Sequence, residues 1–283
     1  MKDDFKIPSR TVFTDEYLNK IFMNQGYVVI RNFVSPSSCK TLNQWYEKNL
    51  PEHSSGFHTS IHSTNVNHRR AVTQEVRKSF DEPLIGLLSN YRPVFSSFTV
   101  KEPDSSSGFD IHLDWSMVDE QRFTSLTAWV PLIDITNDNG YLWVLPESHK
   151  FYPTIRGGPG LNLWCEVPPT QWQKQFQLKK LRLRKGDALI YDHRLFHGSP
   201  PNNTQHRRLA INHTLIPLEA KSLHYQFTGH DQVDALEVSD DFYHTHILNT
   251  LPSLQNSVWS KKTGGSFVFQ HAVNKLISGE SIH

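Results

Sequence analysis

The chain has 283 residues, near the size at which a single hydrophobic core stops growing, with 37% apolar and 12% aromatic residues. Wholesale disorder is therefore excluded, and one domain spanning 1–283 is expected. With 29 Lys plus Arg against 28 Asp plus Glu the formal charge is +1, so the charge balance points to neither nucleic acid nor an anionic membrane as a partner.

Two cysteines are too few for a disulfide scaffold or a thiolate zinc site, whereas 16 histidines bring metal chemistry forward. The opening residues, MKDDFKIPSR, lack an apolar signal region. The longest apolar stretches, such as Leu126 to Ile135, are far too short to span a bilayer. The expectation is a soluble, cytoplasmic protein acting on a small molecule.

In chain order, Asp15 to Asn24 has helical apolar spacing and ends near Gly26, a residue suited to a C-terminal cap. Tyr27 to Ile30 reads as a short strand. Ser35-Pro36 reads as an N-cap followed by proline in the first turn, opening a helix over roughly 37–50. The polar run from Gly56 to Asn67, with His58 and His62, reads as a loop at the mouth of a site. Thr73 to Asn90 predicts a helix broken at Pro83.

From about residue 94 short β-branched and aromatic segments alternate with Gly, Pro, Asn and Asp clusters. Strands are expected at 95–101, 109–114, 123–132, 141–145, 178–184, 186–191 and 207–216, a pattern that favours a barrel or sandwich. The Pro-, Gly- and Trp-rich stretch 152–176 is long for a connection and reads as lid-like. Residues 219–283 read as a helical or irregular tail.

The chemistry is concentrated in the β-rich half. In His112-Leu113-Asp114 an imidazole and a carboxylate stand two apart, so on a strand they share a face. His197 follows 85 residues later, in Phe196-His197-Gly198-Ser199. Two histidines and one carboxylate make the facial triad of non-haem Fe(II) oxygenases. Arg208 lies eleven residues after His197, and a guanidinium there could hold a carboxylate bidentately. Arg207 competes with it. Adjacent strand residues face opposite sides, so only one of the two can enter a barrel.

These pieces, with Gly140 to His149 (GYLWVLPESH) and Gly186-Asp187, occur in an order that resembles the phytanoyl-CoA dioxygenase family of Fe(II)/2-oxoglutarate-dependent oxygenases. The likeness covers about residues 95–216, and the helix–strand–helix opening also fits. One departure is Glu147, where the family usually has glycine before Ser-His. The resemblance implies a mainly β fold, a double-stranded β-helix (a jelly-roll or cupin-like barrel). A helical N-terminal region would cover about 1–93, the barrel 94–218 and an extension the rest.

It also implies Fe(II), the cosubstrate 2-oxoglutarate and O2, with His112, Asp114 and His197 as metal ligands. Arg208 and Ser199 would hold the far carboxylate of 2-oxoglutarate, beside Trp129. The activity implied is hydroxylation of a small metabolite or biosynthetic intermediate, releasing succinate and CO2. An intact Asp114 argues against halogenation, in which a halide takes the carboxylate's place, whereas desaturation, ring formation and epimerisation use the same ligands as hydroxylation. The same two histidines and carboxylate would also suit a zinc hydrolase, which has no need of the arginine. The other alternative is a cupin-type binding protein, whose usual mark would be a lost ligand residue, and none is missing.

Overall fold

A computed structural model of the protein describes residues 8–50, 55–150, 155–156, 177–227, 232–246 and 257–262. Helix α1 (Glu16–Gln25) is capped by Asp15, whose carboxylate accepts from the Leu18 amide, and it closes on Gly26 at φ 81°. A side chain in that left-handed position would be strained and would run into His149. Strand β1 (Tyr27–Ile30) follows directly. The Ser35 hydroxyl caps α2 (Pro36–Lys48), with Pro36 in the first turn.

Two N-terminal expectations are corrected. The run from Gly56 to Asn67 is not a loop: it holds β2 (Phe57–Thr59), a 3-10 turn (Ser60–His62) and the start of α3 (Val66–Leu87). Helix α3 also passes through Pro83 without breaking. Proline removes one helical hydrogen bond and crowds the preceding turn. Val72, Val76, Phe80 and Leu84, however, recur at helical spacing and are all buried. That packed face outweighs the local preference.

The remaining strands are β3 (Tyr91–Lys101), β4 (Phe109–His112), β5 (Leu126–Pro131), β6 (Trp143–Val144), β7 (Lys179–Lys180), β8 (Ala188–Asp192), β9 (His197–Ser199) and β10 (Arg208–Pro217). They form a six-stranded antiparallel sheet in the order β1-β8-β5-β10-β3-β2 and a four-stranded sheet in the order β4-β9-β6-β7. This is the double-stranded β-helix architecture.

The expected strand at 178–184 shrinks to two residues. Beyond it the backbone bonds to connections instead: Leu181 N donates to Leu142 O, and Ile135 N donates to Leu183 O. The expected strand at 141–145 likewise reduces to Trp143–Val144.

Period-2 alternation divides the long sheet into two faces. Phe98, Val100, Leu126, Ala128, Val130, Ala188, Ile190, Leu209, Ile211 and Leu215 join the helical residues Phe22, Leu42, Tyr46, Val72, Val76 and Phe80 in one core. The alternate residues, among them Phe95, Ser97, Thr99, Thr127, Trp129, Tyr191, Arg208, Asn212 and Thr214, line a cavity on the other face. The helices thus back the sheet, and its inner face is left free for chemistry.

The C-terminal expectation is overturned. The described residues there form a three-stranded antiparallel sheet of β11 (Leu223–Phe227), β12 (Gln232–Glu237) and β13 (Ser257–Lys262), with a single helical turn α4 (Phe242–Thr245). Alternation again explains it, because Leu223, Tyr225, Val233 and Ala235 pack into one cluster. The lid-like stretch 152–176 lies outside the described residues, apart from Ile155 and Arg156. Among the described residues no helix is long and apolar enough to cross a membrane.

Candidate metal centre

Strand pairing brings the two histidines together. β4 and β9 run antiparallel with His112 directly opposite His197, and the imidazole centroids are 4.2 Å apart. Asp114 lies two residues beyond His112, its amide donating to His193 O at 3.0 Å. Its Oδ1 is 3.8 Å from Nε2 of each histidine, so three potential ligand atoms converge on one point.

Both rings are oriented from behind. His112 Nδ1–H donates to Asp110 O at 2.7 Å and His197 Nδ1–H donates to Leu195 O at 2.9 Å. In a neutral ring that leaves Nε2 as a bare lone pair aimed inward, the form a metal requires.

The electrostatics suit a cation. Burial, then the neighbouring His197, pushes the His112 imidazole down to about 3, so it stays neutral. Burial alone would raise the Asp114 carboxyl, but His197, His193, His112 and the Tyr191 hydroxyl together outweigh it and hold the group at about 2. A carboxylate and two neutral imidazoles form the donor set preferred by divalent iron.

The other carboxylate oxygen is held by hydroxyls that the sequence did not advertise. Asp114 Oδ2 accepts from Tyr191 Oη at 2.9 Å and from Thr127 Oγ1 at 3.1 Å. Thr127 is in turn 3.0 Å from His193 Nε2, while His193 Nδ1–H donates to Trp115 O at 2.9 Å. The available signal was spacing: Tyr191 precedes His197 by six residues, and Thr127 shares a strand face with Trp129.

The expected cosubstrate residues line the same cavity. Arg208 is 1% exposed. Its Nη1 donates to Gly140 O at 3.0 Å, and its guanidinium lies 5.3 Å from the Trp129 ring centre. Its buried Nε has no partner among the described residues. Burial without a counterion pulls the guanidinium down to about 9, a cost that an arriving carboxylate would relieve.

Ser199 is buried and lines the cavity as well. An orphaned donor, a serine hydroxyl and an aromatic face fit the far carboxylate of 2-oxoglutarate. Arg207 instead pairs with Glu102 and Glu47 outside. Gly140 is required here on two counts. Its φ is 84°, and an added Cβ would meet Lys101 Cδ at 2.7 Å. Glu147, standing in for the family's glycine, adopts φ 69° all the same.

The cavity of about 300 Å³ is also lined by His58, His62, Trp115 and Met117, but not by His68. Asp119 and Glu120 do not line it; Glu120 forms a buried pair with Arg156 at 2.5 Å. The C-terminal aromatics are tied into the packing: Tyr225 Oη donates to Val118 O and Tyr243 Oη to Leu223 O. His149 and His213 are hydrogen-bonded structural residues, while His206 is exposed.

The phytanoyl-CoA dioxygenase (PhyH) family profile matches residues 22–210, more than half of the chain. No curated protein matches the sequence significantly. Among solved structures, the chain resembles the non-heme alpha ketoglutarate dependent carbocyclase SnoK from nogalamycin biosynthesis, at 18% identity and TM-score 0.55, covering 74% of this chain and 86% of that one. The epimerase SnoN in complex with Fe3+, alpha ketoglutarate and nogalamycin RO is 20% identical, with TM-score 0.52 and coverage of 73% and 85%. EctD from S. alaskensis in its apoform is 17% identical, with TM-score 0.52 and coverage of 77% and 85%.

At these identities the likenesses speak for the fold, and the family match carries the assignment. It leaves the zinc-hydrolase and binding-protein alternatives without support. From the match over 22–210 and a donor set suited to iron, the chain belongs to the phytanoyl-CoA dioxygenase (PhyH) family of Fe(II)- and 2-oxoglutarate-dependent oxygenases, which use O2 as the oxidant.

Proposed function

We propose that this oxygenase hydroxylates an unactivated C–H of a small, uncharged metabolite or biosynthetic intermediate, with His112, Asp114 and His197 as the iron ligands. The observation that carries this reading is the order of residues along the inner face of β10. Arg208 stands at one end, Asn212 and Thr214 stand four and six residues further on, and all three line the cavity. At about 3.4 Å per residue, Arg208 and Asn212 are separated by roughly 13 Å. That leaves room for a cosubstrate at one end and a substrate at the other.

With both bound, Fe(II) would use O2 and the oxidative decarboxylation of 2-oxoglutarate to succinate and CO2 to supply an oxidant able to take hydrogen from such a C–H. The protein's own part is placement. Arg208, Ser199 and Trp129 receive the cosubstrate. The substrate end combines neutral polar groups with aromatic walls. Thr59 and Ser97 bond each other at 2.7 Å, Asn212 Oδ1 and His58 Nδ1 are buried without partners among the described residues, and Phe95 and Trp115 stand alongside. Arg156 is already paired with Glu120, which favours an uncharged substrate over the phosphates of an acyl-CoA.

SnoK is named a carbocyclase and SnoN an epimerase, so the product decides the reaction. The test is a succinate-release screen over hydroxylated, uncharged small molecules, with product mass read out. Gain of one oxygen supports hydroxylation. Loss of two hydrogens, or an unchanged mass with inverted stereochemistry, rejects it.

A further inference from the structure

We propose that the Tyr191 hydroxyl is a positioning group of the metal centre, holding Asp114 so that Oδ1 alone faces the cation. This rests on the reading of His112, Asp114 and His197 as the iron ligands. Tyr191 is 2% exposed and stands directly opposite Thr127 in the β5–β8 ladder. These two facing residues both donate to one oxygen, Asp114 Oδ2, at 2.9 and 3.1 Å. The other oxygen, Oδ1, is the one equidistant from the two histidine Nε2 atoms. The carboxylate is thus divided between a side held by hydroxyls and a side left for metal.

The phenol has one proton and two acceptors within reach, since Tyr191 Oη is also 3.2 Å from His197 Nε2. A cation bound to His197 uses that lone pair, which leaves Asp114 Oδ2 as the acceptor. Metal binding and the Tyr191–Asp114 hydrogen bond therefore support each other. Thr127 alone is a weaker holder because its single proton is shared between Asp114 and His193 Nε2. A carboxylate gripping with both oxygens would take a coordination position that cosubstrate or O2 needs, so the hydroxyl protects vacancy as well as affinity.

The test is anaerobic titration with Fe(II), and separately with Co(II) as a spectroscopic probe, of wild type, Tyr191→Phe and Thr127→Val. Tyr191→Phe keeps the ring packed against His197, at 4.6 Å between centroids, and an unchanged metal-free melting curve checks the fold. The proposal predicts Fe(II) affinity reduced by about 10–100-fold and a Co(II) visible spectrum shifted toward a higher coordination number. At saturating metal, the 2-oxoglutarate requirement should also rise, because a second carboxylate oxygen on the metal would compete for the position the cosubstrate needs.

Unchanged affinity and spectrum in Tyr191→Phe, or an effect confined to Thr127→Val, would overturn it. So would an Fe(III)-dependent phenolate absorption in wild type that Tyr191→Phe lacks, since Tyr191 would then be a ligand. Wild type that takes up no Fe(II) would instead sink the metal-centre reading itself.

Discussion

Arg207 and Arg208 are adjacent in the chain and serve opposite faces of the same sheet. Arg208 opens β10 pointing inward, buried over Trp129 with Nε free. Arg207 points outward and is shared between Glu102 at 2.8 Å and Glu47 at 3.1 Å. The alternation of strand side chains thus separates a buried, cavity-lining guanidinium from a surface ion-pair group one residue away.

Arg208→Ala is expected to raise the half-saturating 2-oxoglutarate concentration by about 10–100-fold, the loss of one charge-assisted pair worth roughly 1.5–3 kcal/mol. Arg207→Ala should leave it within about twofold, because exposed ion pairs contribute little. Steady-state succinate formation against 2-oxoglutarate concentration measures both. A large effect from Arg207→Ala with none from Arg208→Ala would shift the anchor by one residue.

Lys101 is fully buried and faces Arg208 across the β3–β10 ladder, its Nζ donating to the carbonyls of Ser107 and Ser199. Burial, then the Arg208 charge, pulls the amine down from 10.5 to about 6. Between those values the unfolded chain holds a proton that the folded chain lacks, so stability rises with pH across that window. The slope approaches about 1.4 kcal/mol per pH unit. Lys101→Met should remove it. Denaturant unfolding of the metal-free protein at two pH values in the window, such as ~6.5 and ~8.5, should give a wild-type-minus-variant difference that grows by about 2.5 kcal/mol. A constant difference would mean that the amine titrates normally.

Glu147 occupies a left-handed backbone position, φ 69°, that costs a side chain about 1–2 kcal/mol. Its ion pair with Lys150, at 3.0 Å with the carboxylate side chain 46% exposed, returns little. Glu147→Gly should therefore raise stability by about 0.5–1 kcal/mol after the added freedom of the unfolded chain, read as a higher denaturant midpoint. A lowered midpoint would show that the side chain contributes more than the backbone strain.

Much of the site was legible because its residues are set by short-range rules. His112 and Asp114 stand two apart, the spacing that puts two strand residues on one face. The caps Gly26 and Ser35 were equally local. What escaped depends on partners distant in sequence. Tyr191 and Thr127 are unremarkable until β5 and β8 pair and place both hydroxyls on Asp114. Pro83 stays helical because of a buried face built from four turns of α3. The C-terminal strands carried alternation, in Leu223 and Tyr225 and in Val233 and Ala235, but too briefly to stand out before they paired.

The central claim is that His112, Asp114 and His197 hold Fe(II) with 2-oxoglutarate beside Arg208. It is tested most directly by anaerobic titration of the metal-free protein with both, followed by visible absorption. The account predicts a weak charge-transfer band that needs iron and keto acid together, is lost in Asp114→Ala, and requires more 2-oxoglutarate in Arg208→Ala. A protein that binds zinc tightly but gives no such band, or a band indifferent to Asp114, would contradict it.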